Sequence, residues 1–270
     1  MRRLNRSTVK SILVFAAILG LVKLWQYVEM KGPAPTRKQG SATPVETGNV
    51  ERTDRKSESV RADFDFYLLT MSWHPAFCSD GHENKPECRV RQPHPLAIHG
   101  LWPEKLDAGA YPHDCQAPGL DLAPALAHEL EEYMPGMESN LHEHEWRKHG
   151  GCTGLDDDAY FEQTLDGARH LDAALLGRLT SLAGRETSPA ELRAAADVYQ
   201  AGLGASVTFQ CRTLRGVPAA LRSRPFLIEV RQCIDDDGAN GAPGTLLDCG
   251  AVNRRDQGCG RSFRIAELSP

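Results

Sequence analysis

The sequence contains no Cys-x-x-Cys pair, although it has eight cysteines. Neighbouring cysteines are separated by ten to fifty-nine positions, and none of these gaps matches the ligand spacing of a standard zinc site. No metal and no cofactor is therefore expected. Together with the export signal described below, the even cysteine count is typical of disulfides formed in an oxidising compartment, although spacing alone leaves the pairing open.

No uninterrupted apolar run reaches the roughly 20 residues that a transmembrane helix needs. The run at residues 12–22 has eleven residues and follows four positive charges, a pattern typical of a secretory signal. No small-x-small cleavage site follows closely, however, and an uncleaved anchor over residues 12–28, with Trp25 and Tyr27 at the membrane interface, is favoured. Residues 1–28 are thus predicted to place the rest of the chain outside the cytoplasm, periplasmic or extracellular, either released or tethered to the inner membrane.

Large apolar residues are scarce between residues 29 and 62, where Lys, Arg, Pro, Thr, Ser, Gly and Glu predominate. Such a segment cannot bury a hydrophobic core and is predicted to be a flexible linker, residues 29–62. Residues 63–270 are then expected to form one catalytic domain, since neither an internal repeat nor a sustained heptad pattern is present. We expect this domain to be a monomer.

Acidic residues outnumber basic residues in the predicted domain. Residues 1–62 hold twelve Lys/Arg and five Asp/Glu, whereas residues 63–270 hold 19 Lys/Arg, 31 Asp/Glu and all ten histidines. The resulting net charge of −12 at neutral pH makes the domain a poor non-specific ligand for a polyanion. A nucleic-acid substrate fits this composition only if the binding cleft is locally basic or if the histidines are protonated.

Strand and helix patterns do not alternate regularly along the domain. Short apolar or β-branched runs predict strands at residues 64–71, 96–102, 207–211 and 225–234. Apolar residues at helical spacing and capping signals predict helices at residues 120–134, 143–151, 156–183 and 188–202. This order favours an α+β fold in which an antiparallel sheet packs against helices.

Two short blocks contain the residues best suited to catalysis, IHGLWP at residues 98–103 and HEWRKHGGC at residues 144–152. At about 100° per residue, a helix over the second block places four polar side chains within one sector: His144, Glu145, Lys148 and His149. If His99 of the first block lies nearby, three imidazoles, a carboxylate and an ammonium face one cleft. Two histidines can act as general base and acid, and the cations can offset negative charge at a phosphodiester.

Two other interpretations of these blocks fit the sequence less well than catalysis. A histidine-rich helix face can simply be solvated surface, but His99 and Trp102 in the other block argue against this. The pair His144-Glu145 also matches the beginning of the zinc-binding H-E-x-x-H motif, which needs its second histidine four positions after the first. The next histidine here is His149, five positions on and about 140° around the helix, a poor arrangement for binding one small ion.

The two blocks closely resemble the two active-site segments of the ribonuclease T2 family. The resemblance extends to residues 64–73, which are followed by Pro75 and Cys78, and to residues 229–235, so that it covers about residues 63–264. It implies that family's disulfide-stabilised α+β fold. It also implies four disulfides: Cys78–Cys88, Cys115–Cys152, Cys211–Cys259 and Cys233–Cys249.

The resemblance implies an endoribonuclease that cleaves single-stranded RNA by attack of the ribose 2′-hydroxyl. The reaction would pass through a 2′,3′-cyclic phosphate to 3′-phosphate ends, without a metal and with low base specificity. DNA would not be cleaved, because it has no 2′-hydroxyl. The alternative is a non-catalytic secreted RNA-binding or storage protein on the same scaffold, which the presence of both histidines and the lysine disfavours.

For the proton transfers, the resemblance implies a pair of histidines. His149 would accept the proton of the 2′-hydroxyl, and His99 would protonate the leaving 5′-oxygen. The sequence itself does not decide which histidine is the base and which is the acid. His144 matches the family's phosphate-binding histidine and is expected to contact the phosphate oxygens of the substrate.

Around the phosphorus, the resemblance implies two further catalytic groups. Glu145 and Lys148 would flank the phosphorus, with the lysine offsetting oxyanion charge and the carboxylate orienting the base or the cation. Trp102 is expected either to stack on a base in the cleft or to lie in the core below the catalytic histidine. Gly151 departs from the family pattern, in which a hydroxyl residue more commonly precedes the cysteine.

Overall fold

A computed structural model of the chain describes residues 59–106, 110–236, 245–253 and 258–268. The expected signal peptide or anchor and most of the expected linker therefore lie outside the described residues. Within the part of the chain that is described, no helix combines the length and the apolar character needed to cross a membrane.

The described residues contain six strands: β1 (Phe66–Trp73), β2 (Leu96–Glu104), β3 (Glu186–Thr187), β4 (Val207–Arg212), β5 (Phe226–Asp235) and β6 (Phe263–Arg264). They form one sheet in the order β2-β1-β5-β6-β3, and β4 also pairs with β5. The long pairings β2–β1, β1–β5 and β5–β4 are antiparallel, whereas the short β5–β6 contact is parallel. The predicted α+β fold is thus confirmed, with one parallel contact in a mainly antiparallel sheet.

The α-helices of the described residues are α1 (His74–Cys78), α2 (Pro124–Tyr133), α3 (Leu141–Lys148), α4 (Asp157–Ser181), α5 (Pro189–Tyr199), α6 (Leu203–Ser206) and α7 (Cys249–Val252). Short 3-10 helices occur at Pro86–Cys88, Pro135–Ser139, Gly150–Cys152 and Ala219–Leu221. The helix predicted at residues 120–134 begins only at Pro124, since proline is favoured in a first helical turn. The helix predicted at residues 143–151 starts two residues earlier and ends at Lys148.

Helix α4 packs against β1 and β2 through one apolar stripe. Its start is capped by Asp156, whose side chain accepts a hydrogen bond from Ala159 N at 2.8 Å. Its buried apolar residues recur at helical spacing: Tyr160, Phe161, Leu165, Ala168, Leu171, Leu175 and Leu179. Gly167 belongs to this face, and a Cβ there would lie 2.8 Å from Cδ2 of Leu69. The glycine therefore lets the helix approach the central strand closely.

All eight cysteines form disulfides: Cys78–Cys88, Cys115–Cys152, Cys211–Cys259 and Cys233–Cys249. These are the four pairs that the family resemblance implies. Cys115–Cys152 joins the segment before α2 to the 3-10 turn after α3, with a Cα–Cα distance of 5.1 Å. The segment that follows α3 is thus covalently fixed, which restrains the position of the residues at the end of the helix.

Residues 59–62, which were expected to belong to the linker, pack against the domain. The Ser59 hydroxyl donates to Leu155 O at 2.9 Å and accepts from Gly154 N at 2.9 Å. Ser59 is only 7 % exposed, so its hydroxyl is satisfied by these backbone groups rather than by solvent. The folded domain therefore includes four residues that precede the predicted boundary at residue 63.

Candidate active site

His99 lies at a β-bulge in β2. Two consecutive residues of β1 pair with Ile98 and Gly100, so that His99 is the extra residue of β2 at this point. In a regular strand, residues three apart point to opposite faces, and His99 would then face away from Trp102. The bulge instead brings both side chains to the same side of the sheet, where their ring centroids lie 5.2 Å apart.

Helix α3 buries two consecutive side chains in different surroundings. Trp146 is 1 % exposed, as expected of a core residue, and its indole Nε1 donates to Pro118 O at 2.9 Å. Glu145 is also 1 % exposed, but its carboxylate accepts a hydrogen bond from Trp102 of β2. The tryptophan thus anchors α3 to the core while the glutamate faces the strand that carries His99.

The end of α3 separates the four side chains that were expected on one helix face. His149 follows the last helical residue and has φ −121° and ψ −52°, although its N–H still donates to Glu145 O at 2.9 Å. This conformation leaves His149 buried beside Glu145. His144 remains exposed and Lys148 is half-buried. The structure therefore divides the four residues into a buried pair and a more accessible pair.

Two glycines allow the turn after His149 to pack closely. A Cβ at Gly150 would overlap the ring of Trp146, and a Cβ at Gly151 would lie 2.7 Å from the Cβ of Ala117. Gly151 is the position at which the sequence departs from the family pattern. Lack of space beside Ala117 explains why glycine occurs there instead of a hydroxyl residue.

The Glu145 carboxylate lies between the two histidines expected to transfer protons. His99 Nε2 is 3.8 Å from Oε1 of Glu145, and His149 Nε2 is 3.9 Å from Oε2. Trp102 Nε1 donates a hydrogen bond to the same Oε2 at 2.8 Å, which fixes the orientation of the carboxylate. Four of the six predicted site residues are thus brought together around one buried acidic group.

Two residues of β5 that were not predicted as site residues complete this cluster. Glu229 Oε1 accepts a hydrogen bond from His99 Nδ1 at 2.9 Å. Arg231 donates to Glu229 Oε2 from Nε at 3.0 Å and from Nη2 at 2.7 Å, and its guanidinium lies 5.4 Å from the centre of the Trp102 ring. A Glu-x-Arg pair in the middle of a strand places both charges on one face, and this was the available sequence signal.

Aromatic rings surround His149. Trp102 stacks on its imidazole with a centroid distance of 5.2 Å and an interplanar angle of 26°. Tyr111, which was not predicted, lies nearly parallel to the same ring at 6.1 Å and 21°. Trp102 is half-buried and contacts both histidines, and it also packs against a small buried cluster that includes Phe66 and Leu68.

The protonation of His99 is controlled by its two carboxylate neighbours. Burial lowers the pKa of His99, but the hydrogen bond to Glu229 and the charge of Glu145 outweigh burial and raise the pKa above 6.5. Burial would raise the pKa of Glu229, but the hydrogen bond from His99 and the charge of Arg231 hold it at about 2. Since an ionised carboxylate can only accept, Nδ1 of His99 carries a proton, and Nε2 is the atom that can exchange one.

The pKa of His149 is shifted in the opposite direction to that of His99. Burial above all, and then the positive charges of Lys148 and His99, lower the pKa of His149 to about 3. Its Nδ1 is buried and has no hydrogen-bond partner among the described residues. Burial also raises the pKa of Glu145, although the charge of His99 opposes this. At pH values between these two histidine pKa values, His149 is neutral and His99 is protonated, as a base and an acid require.

A cavity of about 380 Å³ opens beside His99. His144 lines this cavity, together with Lys85 and the buried Glu87 of the loop closed by the first disulfide. The exposed His144 is therefore available to a ligand that also reaches His99. A larger cavity of about 460 Å³, beside Arg91, is lined by none of the predicted site residues.

Within the described ranges, one group of side chains has ligand atoms close enough to hold a metal ion: His74, Cys78 and Cys88. These atoms lie within 4.8 Å of one another, but the two sulfurs are joined in a disulfide and offer no thiolate. His74 Nε2 lies 3.2 Å from Glu87 O, so the imidazole has a backbone partner. The group therefore has the properties of a disulfide loop and not of a metal centre.

Comparisons with known proteins agree on one family. The model of the ribonuclease T2 family matches residues 64–249. A ribonuclease of Aeromonas hydrophila is 31 % identical over 190 residues, which cover 68 % of this chain and 78 % of that protein. Ribonuclease I of Escherichia coli (strain K12) is 31 % identical over 136 residues, which cover 37 % of this chain and 51 % of that protein. The match to the latter therefore spans only about half of its length.

Solved structures show the same fold. The crystal structure of RNase NT in complex with 5′-AMP superimposes with a TM-score of 0.58 at 22 % identity, covering 76 % of this chain and 99 % of that chain. RNase MC1, solved as a mutant in complex with 5′-GMP, gives a TM-score of 0.56 at 25 % identity, over 74 % of this chain and all of that one. Since the family model also covers well over half of the sequence, the chain belongs to the ribonuclease T2 family.

Proposed function

We propose that this chain, an endoribonuclease by its family, cleaves single-stranded RNA through attack of a ribose 2′-hydroxyl on the adjacent phosphate. The observation that carries the proposal is the placement of two imidazole nitrogens around one carboxylate. His99 Nε2 and His149 Nε2 lie 3.8 and 3.9 Å from the two oxygens of Glu145. A phosphodiester bound beside Glu145 would have a base and an acid within reach of its attacking and leaving oxygens.

In the first step, neutral His149 accepts the proton of the 2′-hydroxyl while the 2′-oxygen forms a bond to phosphorus. The bond from phosphorus to the 5′-oxygen breaks, and protonated His99 donates its Nε2 proton to that leaving oxygen. The products are a 2′,3′-cyclic phosphate and a free 5′-hydroxyl. In a second step His99, now neutral, deprotonates a water whose oxygen forms a bond to phosphorus. The bond from phosphorus to the 2′-oxygen breaks, and His149 returns its proton to that oxygen, which leaves a 3′-phosphate and a free 2′-hydroxyl.

The remaining site residues supply charge and contact area. Lys148 and His144 would contact the phosphate oxygens, with the lysine offsetting the negative charge that builds there, while Glu145 would orient the histidines and the lysine. Trp102 would stack on a base, an interaction worth about 1–3 kcal/mol that every base can make. Such stacking recognises no hydrogen-bond pattern, which is consistent with low base specificity.

The test is a cleavage assay of the purified protein on homopolymeric RNA and on single-stranded DNA in excess chelator. We expect RNA to be cut to 2′,3′-cyclic and then 3′-phosphate ends at an unchanged rate, and DNA to remain intact. Activity that is abolished by chelator and restored by zinc would contradict the mechanism. RNA binding without any cleavage would favour the non-catalytic alternative.

A second prediction concerns the pH dependence of kcat/KM. On the acid side the rate falls when His149 becomes protonated, and its pKa of about 3 places this limb well below the ordinary histidine range. On the alkaline side the rate falls when His99 loses its proton, at a pH above 6.5 because its pKa is raised. We therefore expect a broad bell whose centre lies on the acid side of neutral.

The measurement is a pH–rate profile on a short RNA at two ionic strengths. Residues 63–270 carry a net charge of −12 when all histidines are neutral. The domain therefore repels RNA more strongly as its histidines lose protons, and salt screens this repulsion. Added salt should therefore reduce the loss of activity on the alkaline side. An optimum above pH 8, or an acid limb with its midpoint near 6.5, would contradict the assignment of base and acid.

We further propose that the domain acts outside the cytoplasm as a monomer, with residues 1–28 either removed as a signal or retained as an inner-membrane anchor. Four disulfides that use every cysteine support an oxidising compartment. Cell fractionation, N-terminal sequencing of the mature protein and its mass in solution test the three parts separately. Recovery of the active protein in the cytosol would contradict the localisation.

A further inference from the structure

His99 is held between two carboxylates that contact different nitrogens of its ring. Nδ1 is hydrogen-bonded to Glu229 at 2.9 Å, whereas Nε2 is 3.8 Å from Glu145. The Glu229 side chain is 12 % exposed, so little water competes for its oxygens. The two hydrogen bonds from Arg231 use the second oxygen of Glu229 and leave Oε1 for the histidine.

We propose that Glu229 is a positioning residue for His99: its carboxylate fixes the imidazole with Nδ1–H as donor and Nε2 directed to the substrate. The inference rests on the proposed function, in which His99 Nε2 protonates the leaving oxygen. Glu229 contacts neither substrate nor reacting atoms in this scheme. It acts through His99, as a carboxylate that selects the tautomer and orientation of an imidazole.

Charged groups approach His99 from three parts of the fold. Strand β5 contributes Glu229 and Arg231, and α3 with the residue after it contributes His144, Glu145, Lys148 and His149. The loop before β2 and helix α1 contribute Lys85, Glu87 and His74, which line the same cavity as His99. Of these groups, Glu229 is the one whose hydrogen bond to the His99 ring is observed, at a sequence separation of 130 residues.

Two substitutions should shift the pKa of His99 in opposite directions. In E229Q the negative charge beside Nδ1 is lost, so the pKa of His99 should fall and the alkaline limb of the pH–rate profile should move to lower pH. In R231Q a positive charge near the ring is lost while Glu229 remains, so the pKa of His99 should rise and the alkaline limb should move to higher pH. A residue with a purely structural role would not produce opposite shifts.

For E229Q we expect kcat/KM above neutral pH to fall about tenfold and to recover at lower pH, since lowering the pKa of His99 by about one unit reduces its protonated fraction there about tenfold. The change should lie in kcat, with KM nearly constant, because Glu229 does not contact the substrate. The matched control is E186Q. Glu186 is a sheet carboxylate that accepts from Arg224 at 2.7 Å, as Glu229 does from Arg231, but it lies in β3 away from the site.

NMR titration of the histidine Cε1–H signals in the full-length protein measures the pKa of His99 directly, with H99F identifying its signal. Opposite shifts in E229Q and R231Q, with none in E186Q, support the proposal. An unchanged His99 pKa and an unchanged alkaline limb in E229Q would overturn it. If E229Q fails to fold, as judged by circular dichroism, the ring nitrogen chemical shifts of His99 in the unsubstituted protein decide, and a neutral ring with its proton on Nε2 instead of Nδ1 overturns the proposal.

The same experiment separates this inference from the proposed function. If the NMR shifts occur but H99F retains activity, Glu229 positions an imidazole that is not the catalytic acid, and the ribonuclease mechanism is wrong. If H99F is inactive but the NMR shifts are absent, the mechanism stands and the role of Glu229 is wrong. The two failures therefore give different results.

Discussion

The H149F and H99F variants are each expected to lose about 10²–10⁴-fold or more in kcat on RNA, the range typical of removing a general acid or base. Phenylalanine retains a planar ring of similar size, so the stack at 5.2 Å between Trp102 and position 149 can persist. Both ring nitrogens are lost, and no proton can be accepted or donated at that position. The loss should therefore appear in kcat with little change in the fold.

Initial rates on a short RNA, with circular dichroism as a check of folding, measure this effect. The control is H128F, since His128 lies on α2 with its side chain 82 % exposed and should tolerate the change. The double variant H99F/H149F should be about as inactive as either single variant, because residues that act as a unit are not additive in their effects. Losses that multiply in the double variant would show that the two histidines act independently.

The proximity of site residues could be predicted from the sequence where these residues lie within the two motif blocks. Glu145 and His149 are four positions apart and are brought together by one helix. Their approach to His99 and Trp102 follows from the family resemblance, because both blocks belong to one known site. Sequence periodicity alone would not have placed His99 and Trp102 on the same side of β2, since that depends on the bulge.

The residues that were missed depend on long-range pairing. Glu229 reaches His99 because β5 pairs with β1, which in turn pairs with β2, and this register is not encoded in either motif block. Tyr111 reaches His149 because the Cys115–Cys152 disulfide ties its segment to the end of α3. The sequence predicted the strand β5 and contained the two cysteines, Cys115 and Cys152. It did not reveal that these elements would bring Glu229 to His99 and Tyr111 to His149.

The charge of the domain is also a poor guide to the charge of the cleft. A net charge of −12 on residues 63–270 argued against a polyanionic substrate at neutral pH. Glu229 is nevertheless bonded to both His99 and Arg231, and Glu145 has Lys148 and the histidines nearby. The acidic groups of the site are thus balanced locally, and the excess negative charge lies elsewhere on the domain.

Gly100 should be as sensitive to substitution as a catalytic residue, although it carries no functional group. A Cβ at this position would overlap Oε2 of Glu145 and would lie 2.8 Å from Nε1 of Trp102. A carboxylate at the end of a flexible side chain can usually move, but this one is 1 % exposed and is hydrogen-bonded to the indole. In G100A the carboxylate must leave its place between the two histidines or the indole hydrogen bond must break.

We expect G100A to lose about 10²-fold in kcat, since a displacement of about 1 Å in a catalytic group can cost that much. The indole N–H signal of Trp102 in the NMR spectrum should shift at the same time, because its hydrogen-bond acceptor has moved. G177A is the matched control. Gly177 is exposed on α4 with nothing within 4 Å of an added Cβ, so alanine there should leave activity unchanged and stabilise the helix by up to about 1 kcal/mol. Full activity in a folded G100A variant, with an unshifted indole signal, would show that Glu145 does not need the position it occupies against Gly100.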